Sequence, residues 1–298
     1  SRRLGRSLGG DLGPFKTCSY DCVYCQLGRT TRKTVERREW APLTTVVEQL
    51  WGKLDTRPDV ITLSGSGEPT LYLPLGELIG RIRSMTDTPV AVLTNGSLLW
   101  REEVRRALMD AHLVIPSLDA GDERMFQAVN RPHESLAFER MLEGLVAFGE
   151  EFSGKLWLEI FLLDGYNATE GEVRKLADCV ARIAPDRVQL NTATRPTAED
   201  FAKRVAPADM NALATRFDPP AEAIADYRGV HAEGEFQADR EAVLAMIRRR
   251  PCTLDDIADG LAMHRNQAIK FIEDLDAQGL IDKRSSEGKM FYRGKPSP

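Results

Sequence analysis

Cys18, Cys22 and Cys25 stand on one short stretch, Cys-Ser-Tyr-Asp-Cys-Val-Tyr-Cys. Thiolates are soft ligands suited to iron–sulfur clusters or zinc. Three of them can hold three corners of a [4Fe–4S] cube and leave one iron open to a ligand that is not protein. A closed structural zinc site wants four ligands, usually in paired Cys-x-x-Cys arms. The sequence offers no second arm and no histidine near the loop. A zinc loop or a set of reactive thiols is the alternative reading. Cys179 and Cys252 fall in helical or pre-helical positions and read as core thiols, so no auxiliary cluster is expected.

Further polar residues fall where apolar runs end. Ser64-Gly65-Ser66-Gly67-Glu68-Pro69 follows the run Val60–Leu63, and its small residues would let backbone approach a ligand closely; a plain glycine turn is the bland alternative. Asn95 and Gly96 follow Val90–Thr94, as a turn or as a ligand contact. Ser117 and Asp119, two apart, point to one face of a strand end, although Asp119 could instead cap the next helix. Glu159 interrupts the apolar run Leu156–Leu163, and a carboxylate facing a barrel interior needs a partner. Arg131 and Arg195, with Asn191, sit in loops where a guanidinium can grip a carboxylate or phosphate or order the loop through a salt bridge.

The elements that would position these residues alternate. Strands are expected at Ser7–Asp11, Val60–Leu63, Val90–Thr94, Leu113–Leu118, Leu156–Leu163 and Val188–Asn191. Helices with apolar residues recurring at three and four are expected at Thr44–Lys53, Leu75–Met85, Glu102–Asp110, Phe138–Gly149 and Glu170–Ile183. Strand–helix–strand units of about thirty residues imply parallel strands with crossover helices. Six units would form an α/β fold of the open, partial (β/α)6 barrel kind, with its chemistry beyond the carboxyl ends of the strands. The cysteine loop follows the first strand and falls at that end.

Residues 192–235 carry Pro196, Pro207, Pro219 and Pro220 and read as an irregular cover leading to a linker. Beyond it, Glu241–Arg250, Thr253–Leu261 and Asn266–Gln278 read as helices, with Thr253 and Asp256 as a capping-box variant and Gly279 as a stop. Leu280–Lys283 and Lys289–Tyr292 read as a hairpin. The whole resembles a winged helix-turn-helix domain. The expected division is 1–225 for the barrel, 226–237 for a linker and 238–298 for the winged domain. Arg265, Asn266, Gln267 and Lys270 open its second principal helix, and such side chains read base edges.

The composition, 42% hydrophobic and 29% charged, is that of a soluble chain with room for one large domain and a small one. Residues 1–40 carry nine Lys/Arg against four Asp/Glu, residues 41–235 carry 20 against 31, and residues 236–298 carry 11 against 10. A basic entrance over an acidic body would attract an anionic substrate or polyanion, or simply be a solvated surface. The nearly neutral last segment lacks the basic patch usual in nucleic-acid binders. No apolar run is long enough to span a membrane, and no secretory leader is read. A reducing cytoplasm is the expected location.

The cysteine spacing with Tyr24 before the last cysteine resembles that of radical S-adenosylmethionine (radical SAM) enzymes. Gly65–Pro69 resembles their Gly-Gly-Glu-Pro motif, with Ser66 where a glycine is more usual. Together with Thr94–Gly96, Asn191–Pro196 and the basic run Arg29–Arg38, these segments resemble an iron–sulfur oxidoreductase subgroup related to wyosine-forming tRNA-modifying enzymes. The resemblance implies a [4Fe–4S] cluster on Cys18, Cys22 and Cys25 whose open iron binds S-adenosylmethionine. One electron, from a flavodoxin- or ferredoxin-like donor, would yield methionine and a 5′-deoxyadenosyl radical that takes hydrogen from substrate. It also implies cofactor contacts at Tyr24, Gly65, Gly67, Glu68, Asn95, Ser117 and Asp119. Glu159, Arg131, Asn191 and Arg195 are the substrate candidates, and the substrate itself would be a tRNA, a peptide, a protein or a small metabolite. Two rival readings are a cluster-containing, DNA-binding regulator and a transferase of methyl or aminocarboxypropyl groups.

Overall fold

The computed structural model describes residues 4–224, 239–261 and 263–295. In chain order the first elements are β1 (Ser7–Gly10), β2 (Thr17–Cys18), β3 (Arg32–Lys33), α1 (Leu43–Trp51), β4 (Val60–Leu63), α2 (Leu75–Met85), β5 (Val90–Thr94) and α3 (Glu102–Leu108). Then come β6 (Leu113–Pro116), α4 (Glu123–Val129), α5 (Phe138–Glu151), β7 (Lys155–Leu162), α6 (Glu170–Ile183), β8 (Arg187–Thr192), α7 (Pro207–Ala214) and β9 (Glu222–Ala223). The last are α8 (Arg240–Arg249), α9 (Leu254–Gly260), α10 (Arg265–Ala277), β10 (Ile281–Ser286) and β11 (Lys289–Gly294).

The principal sheet has seven strands in the order β1-β4-β5-β6-β7-β8-β9. Every neighbouring pair in it is parallel. Strands in sequence order, each returned by a helix, make the α/β partial barrel. β4, β5 and β6 are apolar runs because one face packs under the covering helices and the other carries the apolar cluster at the base of the barrel interior. β7 alternates instead: Leu156, Leu158, Ile160 and Leu162 are buried on the helix side, while Trp157, Glu159 and Phe161 are half-buried on the other face. Glu159 therefore faces the barrel interior.

Each covering helix buries one stripe. In α5 the stripe is Phe138, Met141, Leu142, Leu145 and Phe148; in α6 it is Val173, Leu176, Val180 and Ile183. A smaller cluster, Val60, Ala91, Leu113 and Ile115, fills the inner side of the sheet.

The segment 192–235 is not irregular throughout, as its prolines suggest. It contains α7, with Pro207 in the first turn, where proline is welcome because that N–H has no helical partner, and it contains β9. α4 is also absent from the sequence reading. Asp122, not Asp119, caps it by accepting from the Met125 N–H at 2.8 Å.

The C-terminal unit has its own core of Val243, Leu244, Ile247, Cys252, Ile257, Ala268, Ile272, Leu275 and Ile281. Thr253 and Asp256 form the reciprocal capping box at α9. Gly279, with φ +67°, ends α10. β10 and β11 pair antiparallel around Glu287-Gly288, both at positive φ, the two-residue turn that matches strand twist. The expected linker 226–237 lies outside the described residues. Among the described residues no helix is long and apolar enough to cross a membrane.

Candidate active site

A cavity of about 2060 Å³ opens at the carboxyl ends of the strands and is roofed by the C-terminal unit. Cys18 and Cys25 line it, with Tyr24, Gly65, Gly67, Glu68, Asn95 and Ser117. The barrel fold thus gathers residues up to a hundred positions apart, because each lies just past the end of its strand.

Each cysteine sulfur has a side-chain N–H donor, and each of these comes from a different part of the chain. Asn95 Nδ2 is 3.5 Å from Cys18 Sγ, Asn130 Nδ2 is 3.6 Å from Cys22 Sγ, and Lys16 Nζ is 3.0 Å from Cys25 Sγ. Burial pushes the Cys18 thiol up to about 12, with the Glu68 charge adding to it. Burial, then the Asp119 charge, pushes Cys22 well up. A bare thiolate is unfavourable there; a metal centre would supply the missing positive charge. Three soft donors, each with a hydrogen-bond donor behind it, fit a cluster bound through three irons. Among the described residues no three Cys, His, Asp or Glu side chains converge on a single ion.

Gly65 and Gly67 are required where they stand. Gly65 has φ +60°. A Cβ on Gly67 would lie 1.9 Å from the Thr17 carbonyl oxygen, so this loop touches the backbone entering the cysteine loop. The Glu68 N–H donates to that same oxygen at 3.1 Å. Ser66 has its own partner: its N–H and hydroxyl donate to the Asp11 carboxylate at 2.9 and 2.7 Å. The buried Glu68 carboxylate accepts from the Thr70 N–H at 3.0 Å, the Asn95 N–H at 2.7 Å and the Thr70 and Thr94 hydroxyls. Burial raises its pKa against the pull of these donors.

Asn95 spans two loops, donating from Nδ2 to the Ser19 hydroxyl at 2.8 Å and accepting from the Ser97 N–H at 3.0 Å. Asp119 does not line the cavity; it lies behind it, 3% exposed. Its oxygens accept from the Tyr24 hydroxyl, from Asn130 Nδ2 at 2.7 Å and from the Phe161 N–H at 2.9 Å. The Tyr24 ring stacks on Phe161 with centroids 4.0 Å apart.

Among the residues expected at the substrate, Glu159, Asn191 and Arg195 line the cavity. Asn191 Nδ2 lies 3.3 Å from Glu159 Oε1. Arg131 is set apart from them: it is outside the cavity lining and pairs with Glu199 at 2.6 Å, beside Arg29 at 2.8 Å. Arg195 is turned to the roof, donating to the Pro251 carbonyl at 3.0 Å and Asp256 Oδ1 at 3.1 Å. The sequence does not single out Asp11, whose partner Ser66 is 55 residues away, or Lys16, since no local pattern marks a lysine nine residues before Cys25 as its partner. Asn130, adjacent to Arg131, was legible only as a loop residue.

The family model described as the radical SAM superfamily matches residues 12–178. The UPF0026 protein MJ1312 of Methanocaldococcus jannaschii is 34% identical over 98% of this chain and 93% of its own length. A GTPase Obg of Brachyspira hyodysenteriae is 36% identical over 98% of this chain, which spans only 44% of that protein. Among solved structures, SuiB of Streptococcus suis bound to S-adenosylmethionine aligns with a TM-score of 0.51 at 16% identity, covering 70% of this chain and 43% of that one. A radical SAM methyltransferase of Sphaerobacter thermophilus gives 0.51 at 17% identity, covering 76% and 66%. At such identities these two likenesses concern the fold alone.

Proposed function

The chain belongs to the radical SAM superfamily, and on that premise we propose that it cleaves S-adenosylmethionine reductively and abstracts hydrogen from a substrate seated in the roofed cavity. The observation that carries the reading is the trio of half-buried cysteines, each sulfur with a side-chain N–H donor, at the mouth of the barrel. The cofactors of the family are a [4Fe–4S] cluster and S-adenosylmethionine, and together they supply a 5′-deoxyadenosyl radical. Cys18, Cys22 and Cys25 hold the cluster. The Gly65–Glu68 backbone and the Glu68 carboxylate face the methionine ammonium. Asn95 and Ser117 serve its carboxylate and ribose, and Tyr24 borders the adenine. Asp119 acts one step back, holding Tyr24 and Asn130 in place.

The C-terminal unit, three helices and a hairpin, is read as a winged helix that presents the substrate. Three of its basic side chains are already paired, Arg265 with Asp255 at 3.1 Å, Lys283 with Asp276 at 2.5 Å and Arg284 with Asp200 of the barrel part at 2.8 Å. With 11 Lys/Arg against 10 Asp/Glu in residues 236–298 the unit offers no basic surface for a phosphate backbone, which favours a peptide or small metabolite over a tRNA as substrate. Substrate binding should then depend weakly on salt, against the steep loss expected when several phosphates are neutralised. An external one-electron donor, flavodoxin- or ferredoxin-like, and a reducing cytoplasm complete the proposal.

Anaerobic reconstitution tests the chemistry. The wild-type chain should bind about four iron and four sulfide, as one cube requires. With a strong reductant it should release methionine and 5′-deoxyadenosine. Cys22→Ala should lose both. A purified chain that carries zinc, or methylthioadenosine among the products, would count against the reading.

A further inference from the structure

We infer that Lys16 is a charge-balancing residue of the cluster, setting its reduction potential through Cys25; the inference rests on the function proposed above. Lys16 is 3% exposed, and its ammonium lies 3.0 Å from Cys25 Sγ, the one acceptor its side chain has among the described residues. A buried cation is costly unless an anion accompanies it. Here the anion must be the sulfur and the centre it ligates.

The backbone points the same way. Lys16 has φ +58°, the left-handed region, where a residue with a Cβ is strained and glycine is not. The conformation is fixed from both sides. The Lys16 N–H donates to the Ser66 carbonyl at 2.8 Å, and its own carbonyl accepts the Thr31 and Arg32 N–H groups, each at 3.2 Å. A glycine would take this backbone without strain, so what the strained position retains is the lysine side chain, directed at the sulfur. The same turn joins the Gly65–Glu68 loop to the cysteine loop, which keeps the ammonium in register with Cys25.

The redox step balances simply. A [4Fe–4S] core of charge 2+ with three thiolates carries −1, and one electron from the external donor takes it to −2 with no bond made or broken. A fixed positive charge at hydrogen-bond distance favours the more negative state and raises the potential. The asymmetry with Cys18 and Cys22, which receive neutral amide donors, places the charge at one corner of the cube.

The test is a spectroelectrochemical titration of the reconstituted chain, read by electron paramagnetic resonance, for wild type, Lys16→Met and Lys16→Arg. Lys16→Met should load the wild-type amount of iron and have a lower midpoint. The ratio of reduced to oxidised cluster at a fixed potential should fall at least tenfold, which is about 59 mV for one electron. Lys16→Arg should stay within that margin of wild type. Lys16→Gln replaces the methionine variant if the latter takes up no iron. A wild-type midpoint in the neutral variant, or an equal fall in Lys16→Arg, overturns the role of Lys16 while leaving the cluster reading intact. A wild-type chain that binds no iron defeats the proposed function itself, and this role with it.

Discussion

Asp119 shows how one buried carboxylate serves a site it does not face. Burial raises its pKa from 3.8 to about 6, against the pull of the Tyr24, Asn130 and Phe161 donors, and the Glu159 charge adds to the rise. A raised pKa means that folding disfavours the charged form. The stability this group allows is therefore full below about pH 4, the ordinary carboxylate range, and is lost as pH rises through about 6. A shift of about two units corresponds to roughly 3 kcal/mol. Asp119→Asn removes that dependence and carries a constant loss, because an amide cannot accept from all three donors. Urea unfolding of the metal-free chain should show the difference between Asp119→Asn and wild type moving in favour of the variant by up to about 3 kcal/mol between pH 4 and pH 7. A difference that stays flat with pH would mean that Asp119 is not held out of its charged form.

At the scale of elements, what was legible in the sequence is what local pattern controls. β4 and β5 begin and end where their apolar runs do, and α6 spans Glu170–Ile183 as its three–four periodicity implies, because burial of those residues fixes the segment. The capping box at Thr253 was readable for the same reason: its partner is three residues away. α4 was hidden by its seven-residue length, and α7 by Pro207, read as a breaker where it is a starter. The placement of Arg131 against Glu199 depends on loops that meet only once the sheet has curved, and that of Lys16 against Cys25, nine residues on, depends on how the cysteine loop itself folds, which no periodicity marks. Gly67 belongs to this second kind, since its neighbour is the Thr17 carbonyl at a distance where no Cβ fits. Gly67→Ala must push the two loops apart, at a cost of about 1–3 kcal/mol or more, and should cut iron loading sharply. Gly80→Ala, in α2 with open space around it, should instead stabilise by about 0.5–1 kcal/mol. Thermal unfolding and iron content of the two variants check this together. Normal iron loading in Gly67→Ala would show that the contact between the loops does not position the cysteines.

Across the whole molecule, the barrel and the C-terminal unit have separate apolar cores, so polar contacts must do much of the work of holding the roof over the cavity. Several arginines span the gap. Arg249 donates to the Gly9 carbonyl at 3.0 Å, Arg293 to the Leu27 carbonyl at 2.8 Å beside the cysteine loop, and Arg195 to Pro251 and Asp256. The Arg195 side chain is 8% exposed and Asp256 20%, so this pair escapes most of the screening that makes surface ion pairs weak. Removing one member leaves the other's charge half-buried at the base of α9, with a cost of about 1.5–3 kcal/mol for a charged hydrogen bond. Because the two cores are distinct, that cost should fall on local opening of the roof and not on the barrel. Native-state hydrogen exchange of Arg195→Ala should therefore show the amides of α9 exchanging at least tenfold faster, about 1.4 kcal/mol, while those of β4 and β5 keep wild-type rates. If α9 and the barrel strands accelerate together, the roof and barrel unfold as one body. If neither changes, Arg195 does not hold the roof and is left to face the cavity.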